Sequence, residues 1–102
     1  MVGLTEYLKR AVSDNASDLF IVAGGPVCAK EDKRLVPISE DRVFPQQTEE
    51  LIREVYNLAG RPIDRFLQQG DDDFSFSLAG LARFRVNVYR QRGSMAAVIR
   101  VV

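Results

Sequence analysis

Histidine is missing from this 102-residue chain, and cysteine occurs once, at Cys28. Without histidine there is no side chain that titrates near neutrality unaided, no commonest metal ligand and no Ser-His-Asp triad. A lone cysteine forms neither an internal disulfide nor a thiolate metal cluster, which points to a reducing, cytoplasmic setting. No run of 18 apolar residues occurs, and Glu6, Lys9 and Arg10 interrupt the apolar pattern of residues 1–11. Both features argue against a spanning helix or a signal peptide, and so for a soluble domain. Net charge is lacking too, because 14 basic and 14 acidic residues cancel. No overall field then draws the chain to nucleic acid or to an anionic membrane, and any electrostatic function must come from local clustering.

What is present is ordinary globular composition, with 46% hydrophobic and 27% charged residues, far from the signature of disorder. A chain of this length buries roughly 60–65% of its unfolded surface, so one core and a single domain over residues 1–102 are expected. Leu4, Tyr7, Leu8, Ala11 and Val12 recur at helical spacing and predict a helix that stops near Asp14-Asn15. Leu19 to Ala23 read as a buried strand ended by Gly24-Gly25-Pro26. Val27 to Ala29 and Leu35 to Ile38 read as a hairpin around the solvated turn Lys30 to Arg34. Thr48, followed by Glu49 and Glu50, is expected to cap a helix that buries Leu51, Val55 and Leu58 and stops at Gly60. Pro62 suits the first turn of a second short helix, which buries Ile63, Phe66 and Leu67 and ends at Gly70.

The final third changes period from about 3.6 to 2. Phe74, Phe76 and Leu78 alternate with Ser75 and Ser77, and Ala82, Phe84, Val86 and Val88 alternate with Arg83, Arg85, Asn87 and Tyr89. Met95 to Val102 is a third β-prone run. Three sequential antiparallel strands, joined by the earlier ones, make an α+β domain whose sheet has an apolar face for the helices to cover. Pairing of like faces selects a three-residue loop, Ala79-Gly80-Leu81, which sets Phe76 opposite Phe84, Phe74 opposite Val86 and Ser75 opposite Arg85. At the next turn, a two-residue loop at Arg92-Gly93 and a four-residue loop from Gln91 to Ser94 both set Arg85 opposite Arg100. Like charges directly across a strand pair repel and call for a counter-charge. Arginine suits a phosphate, because its planar fork donates two parallel charge-assisted hydrogen bonds. The plainer reading is that these arginines are merely solvated or paired with Asp73, which lies diagonally from Arg85. Arg83 and Arg92 are secondary candidates; Arg90 and Arg92 sit at a turn, where exposure costs nothing.

At this point the residues resemble a known family. Asp73-Phe74-Ser75-Phe76, Gly80, Ala82 to Asn87, Gln91-Arg92-Gly93-Ser94 and Val98-Ile99-Arg100 are similar to the N-terminal domain of the PilT-type twitching-motility ATPases, as are Ala16-Ser17-Asp18-Leu19 and Gly24-Gly25-Pro26. The resemblance covers most of the chain in the right order. It implies a PAS-like fold, an antiparallel sheet with helices packed on one face. It also implies attachment to a C-terminal RecA-like motor domain that is absent here, assembly as homo-hexameric rings, and partnership with type IV pilus machinery at the inner membrane. Related secretion ATPases touch nucleotide phosphates with two arginines of this domain, fifteen residues apart, a spacing that Arg85 and Arg100 have. The implied cofactors, ATP and magnesium, belong to the parent protein, and neither a cofactor nor a metal is assigned to this chain.

Two departures qualify the match. Phe20 stands where the family commonly has histidine after Ser-Asp-Leu, and core packing is the expectation for it. No Gly-x-x-x-x-Gly-Lys-Ser/Thr occurs, and Gly24 to Lys30 is no substitute, lacking the second glycine, the hydroxyl and a following helix. No catalytic residue is therefore assigned, and the chain alone is not expected to hydrolyse ATP. Its end at Val102, just after the last strand, reads as a cut at a linker. Among other features, Asp71-Asp72-Asp73 reads as a solvated turn rather than a metal site, since adjacent acids diverge. Cys28 reads as a structural thiol, and Phe74 and Phe84 as core rather than a stacking platform for nucleic acid. The leading expectation is an accessory domain that completes a neighbouring motor's nucleotide site and subunit contacts. A PAS-like small-molecule sensor is the alternative, and nucleic-acid binding through the arginine hairpin stands third and is not adopted.

Overall fold

The computed structural model describes residues 2–102. Helix α1 (Leu4–Ser13) is followed by strands β1 (Asp18–Ile21), β2 (Pro26–Glu31) and β3 (Arg34–Arg42), helices α2 (Pro45–Ala59) and α3 (Asp64–Gln69), and strands β4 (Asp72–Leu78), β5 (Ala82–Gln91) and β6 (Ser94–Val101). The six strands form one antiparallel sheet in the order β3-β2-β1-β6-β5-β4, so the first and last strands meet at its centre. Helix α2 lies across β6 and β4, α1 against β1 and α3 against β4. This is the expected α+β arrangement of an antiparallel sheet with helices on one face. Among the described residues no helix is long and apolar enough to cross a membrane.

Alternation along each strand decides which residues reach the core. Leu19 and Ile21 of β1, Val27 and Ala29 of β2, Phe84, Val86 and Val88 of β5 and Ala97 and Ile99 of β6 are fully buried beneath the helices, as are Leu4, Leu8 and Ala11 of α1. Phe20 has the opposite parity. Expected in the core, it is half-buried on the helix-free face, opposite Cys28 and Val98.

The β2–β3 hairpin is tighter than the sequence suggests. Glu31 pairs with Arg34, and the turn is Asp32-Lys33 alone, both at positive φ (51° and 67°). Two positive φ values match the right-handed twist of the flanking strands, so the geometry tolerates two non-glycine residues there.

Helix α2 begins three residues before the expected cap. Pro45 at the first helical position has no N–H to leave unpaired. Gln47 Oε1 accepts the Phe44 N–H at 2.8 Å, fixing the entry. Thr48 is thereby drawn into the first turn, buried, with its hydroxyl donating to the Pro45 carbonyl at 2.9 Å. Packing on β6 and β4 decides which residues of α2 face inward: Leu51, Ile52, Val55 and Tyr56 are buried, while Leu58, expected with them, is exposed. In α3 only Phe66 is fully buried, and Leu67 is exposed. Both helices end, as expected, at left-handed glycines, Gly60 and Gly70.

Candidate functional site

The loop Ala79-Gly80-Leu81 sets Ser75 opposite Arg85 and Phe76 opposite Phe84, the pairing inferred from face matching. At the second turn Arg92 (φ 53°) and Gly93 (φ 83°) make a two-residue loop that pairs Gln91 with Ser94. Counting back along both strands puts Arg85 directly opposite Arg100. Both side chains lie on the helix-free face and remain 65% and 68% exposed. Arg83 is on the same face, two positions from Arg85 and opposite Ser77. Arg92 is not brought near them, since seven residues of extended chain separate it from Arg85 by roughly 20 Å.

Each central arginine has a carboxylate of its own. Arg100 Nε donates to Asp18 Oδ1 at 3.3 Å, and Asp18 Oδ2 accepts the Ser17 hydroxyl at 2.8 Å. Asp18, a short side chain on a central strand with the longer Lys30 and Arg100 on either side, is only 8% exposed. In the cross-strand row it sits between Lys30 and Arg100, so both neighbours have opposite charge. Arg85 Nη2 lies 3.7 Å from Asp73 Oδ2, within ion-pairing range but beyond a hydrogen bond, and the Asp73 side chain is 56% exposed. Asp18, Asp73, Arg85, Asn87, Val98 and Arg100 line a shallow depression of about 200 Å³. Beside it Phe20, Cys28 and Val98 form a half-buried apolar patch across β1, β2 and β6. Burial pushes the Cys28 thiol pKa up, which leaves less thiolate for nucleophilic chemistry.

The acidic run 71–73 is not a solvated turn at its middle residue. Asp73 points to the helix-free face, but Asp72 has the parity of Phe74 and Phe76 and enters the core side, where its side chain is 1% exposed. Burying a carboxylate demands partners, and Asp72 has them. Arg61 binds it bidentately through Nε at 2.9 Å and Nη2 at 2.8 Å, the Tyr56 hydroxyl donates at 2.9 Å and the Asp73 N–H at 3.0 Å. The hydrogen bonds from Arg61 hold the Asp72 carboxyl below the usual carboxylate range, and burial together with Asp72 pushes the Tyr56 hydroxyl well above its own. Arg61 also lies over the Phe74 ring at 5.0 Å. This knot braces α2 against β4, on the opposite side of the sheet from Arg85. The alternation of β4, read two residues back from Phe74, is the signal in the sequence that could have placed Asp72 on the core side.

What the helix-free face can do chemically follows from the arginine pair, which offers two adjacent guanidinium groups to an anion. No protein-family model matches the chain. It is 34% identical over 95 residues to the type IV pilus ATPase PilU of Pseudomonas aeruginosa, covering 93% of this chain and 24% of that protein. It is also 34% identical over 100 residues to the type IV pilus retraction ATPase PilT of the same organism, covering 97% of this chain and 28% of that protein. Among solved structures, the pilus retraction motor PilT with bound ADP superposes with a TM-score of 0.83 at 32% identity, over 98% of this chain and 29% of that one. The chain thus spans about a quarter of the length of the curated relatives it matches.

Proposed function

We propose, from the premise that this chain is the N-terminal domain of a PilT-type ATPase, that it serves as the arginine-bearing accessory domain of a nucleotide-driven pilus motor. Arg85 and Arg100 contact the phosphates of ATP held by a RecA-like motor domain, and the surrounding helix-free face packs against that domain or its neighbour in a homo-hexameric ring. ATP and magnesium are then bound chiefly by the motor domain. The complex works on the cytoplasmic side of the inner membrane, joined to the membrane through the pilus machinery.

One observation carries this reading: two exposed arginines stand directly opposite each other on adjacent strands. Such a pair repels in isolation and is relieved by a shared anion. Phosphoryl transfer proceeds largely by positioning and charge neutralisation, so two guanidinium groups aimed at the phosphates supply what the transition state needs. In a protein that joins this domain to its motor, Arg85→Ala and Arg100→Ala should each lower ATP turnover about a hundredfold, while ring assembly measured by light scattering persists. Unchanged turnover in both variants removes the phosphate role.

A further inference from the structure

The two carboxylates beside the arginines differ in every respect that governs an ion pair. Asp18 is almost fully buried on a central strand, accepts a hydroxyl hydrogen bond from Ser17 and a hydrogen bond from Arg100, and faces Lys30 on its other side. A carboxylate so placed cannot leave without stranding its charge, so it stays and its partner is held. The contact uses Arg100 Nε. Among the described residues no hydrogen bond uses the terminal nitrogens of Arg100, and the side chain is largely exposed. Its forked end is therefore available to an anion while its base is fixed. Asp73 is a solvated carboxylate at ion-pair range from Arg85, with no hydrogen bond between them. A pair of that kind is weak and easily exchanged.

We infer that the two carboxylates have opposite roles: Asp18 is a positioning residue that presets Arg100 for a phosphate, whereas Asp73 is a displaceable counter-ion that the phosphate must evict from Arg85. This rests on the phosphate reading given above and adds a regulatory element to it. The free domain carries a self-neutralised site, and only an anion that engages Arg85 more strongly than one solvated carboxylate opens it. A polyphosphate, with several charged oxygens, meets that condition better than a chloride or a single carboxylate.

The test is arginine side-chain NMR of the 102-residue chain, titrated with inorganic pyrophosphate. In the free protein the Arg100 Nε–H signal should be dispersed and slow to exchange with water, and that of Arg85 averaged and fast. Asp73→Asn should tighten pyrophosphate binding roughly fivefold by removing the competing charge. Asp18→Asn should leave binding no tighter, although it too removes a negative charge, and should collapse the Arg100 signal onto the averaged position. Ser17→Ala, which keeps the charge and removes only the hydroxyl donor, should speed exchange at Arg100 alone; it carries the test if Asp18→Asn does not fold. Equal exchange of the two signals in the free protein, or equal tightening by Asp18→Asn and Asp73→Asn, overturns the inference while leaving the phosphate reading standing. Pyrophosphate that shifts neither arginine in any variant also overturns the inference, whereas the phosphate reading itself falls only with unchanged ATP turnover in Arg85→Ala and Arg100→Ala of the motor-bearing protein.

Discussion

At the scale of single residues, the strongest local constraint is Asp72. Its carboxylate is enclosed by Arg61, Tyr56 and the Asp73 amide, and removing it leaves a guanidinium and a phenol without their acceptor. Asp72→Ala should destabilise the chain by about 3 kcal/mol, read from urea unfolding. Asp72→Asn should cost less, because the amide still accepts and Arg61, a third exposed, can turn toward water. The carboxyl pKa is lower in the folded chain than the ordinary value, so unfolding takes up a proton in acid. The stabilisation is complete above about pH 4 and is lost as the pH falls through the folded value. The acid limb of a stability-versus-pH curve should therefore flatten in Asp72→Asn; an unchanged limb would show that other carboxylates set it. Asp72 also shows how much a single position tells a reader. Composition made the acidic triplet look like a turn, yet strand parity alone divides it into an inward Asp72 and an outward Asp73.

At the scale of elements, short helices depend on what holds their ends. Helix α1 has 10 residues and no side-chain cap from its own N-cap, Gly3. Its Leu4 N–H instead donates to Glu54 Oε2 at 3.0 Å, a group fifty residues away on α2. A helix of this length is marginal alone, so its first turn borrows an acceptor from its neighbour. Glu54→Ala should cost about 1 kcal/mol, the usual worth of a lost cap, and should speed amide exchange at the start of α1 while leaving β5 and β6 protected. No local pattern could have shown this, since the acceptor comes from a distant segment. The boundary of α2 is an intermediate case. Pro45 and Thr48 are both helix-start signals, and the proline prevails because the Gln47 contact to Phe44 N–H completes the turn around it.

For the whole molecule, the two faces of the sheet differ in what covers them. One face is covered by three helices, and the other carries Arg83, Arg85, Arg100 and the half-buried patch of Phe20, Cys28 and Val98. Residues on the second face contribute little to the core, so substitutions there should separate folding from association. Phe20→Asp should shift the thermal midpoint by only about 5 °C, by differential scanning calorimetry, and yet abolish association with the motor domain in the proposed assembly. A variant that unfolds outright would place Phe20 in the stability of the domain after all; one that folds and still associates would move the docking surface elsewhere. Balanced overall charge has its own consequence, because in the proposed assembly attraction to phosphate comes from local clustering at Arg85 and Arg100 rather than from a net field. Pyrophosphate affinity should then fall as salt rises toward physiological ionic strength, where the screening length is about 8 Å.

By itself the sequence determined the α+β class, the meander of the last three strands and the meeting of Arg85 with Arg100. Each follows from local rules: a period of two assigns faces, glycine sets the turns, and turn length sets the pairing. Only the tertiary structure decided that Asp18 holds Arg100, that Phe20 lies on the helix-free face and that Asp72 is enclosed by Arg61 and Tyr56. Those outcomes depend on which strand becomes β1's neighbour and where α2 comes to rest. They are set by packing between segments far apart in the chain, where burial makes an unpaired charge costly enough to select its partner.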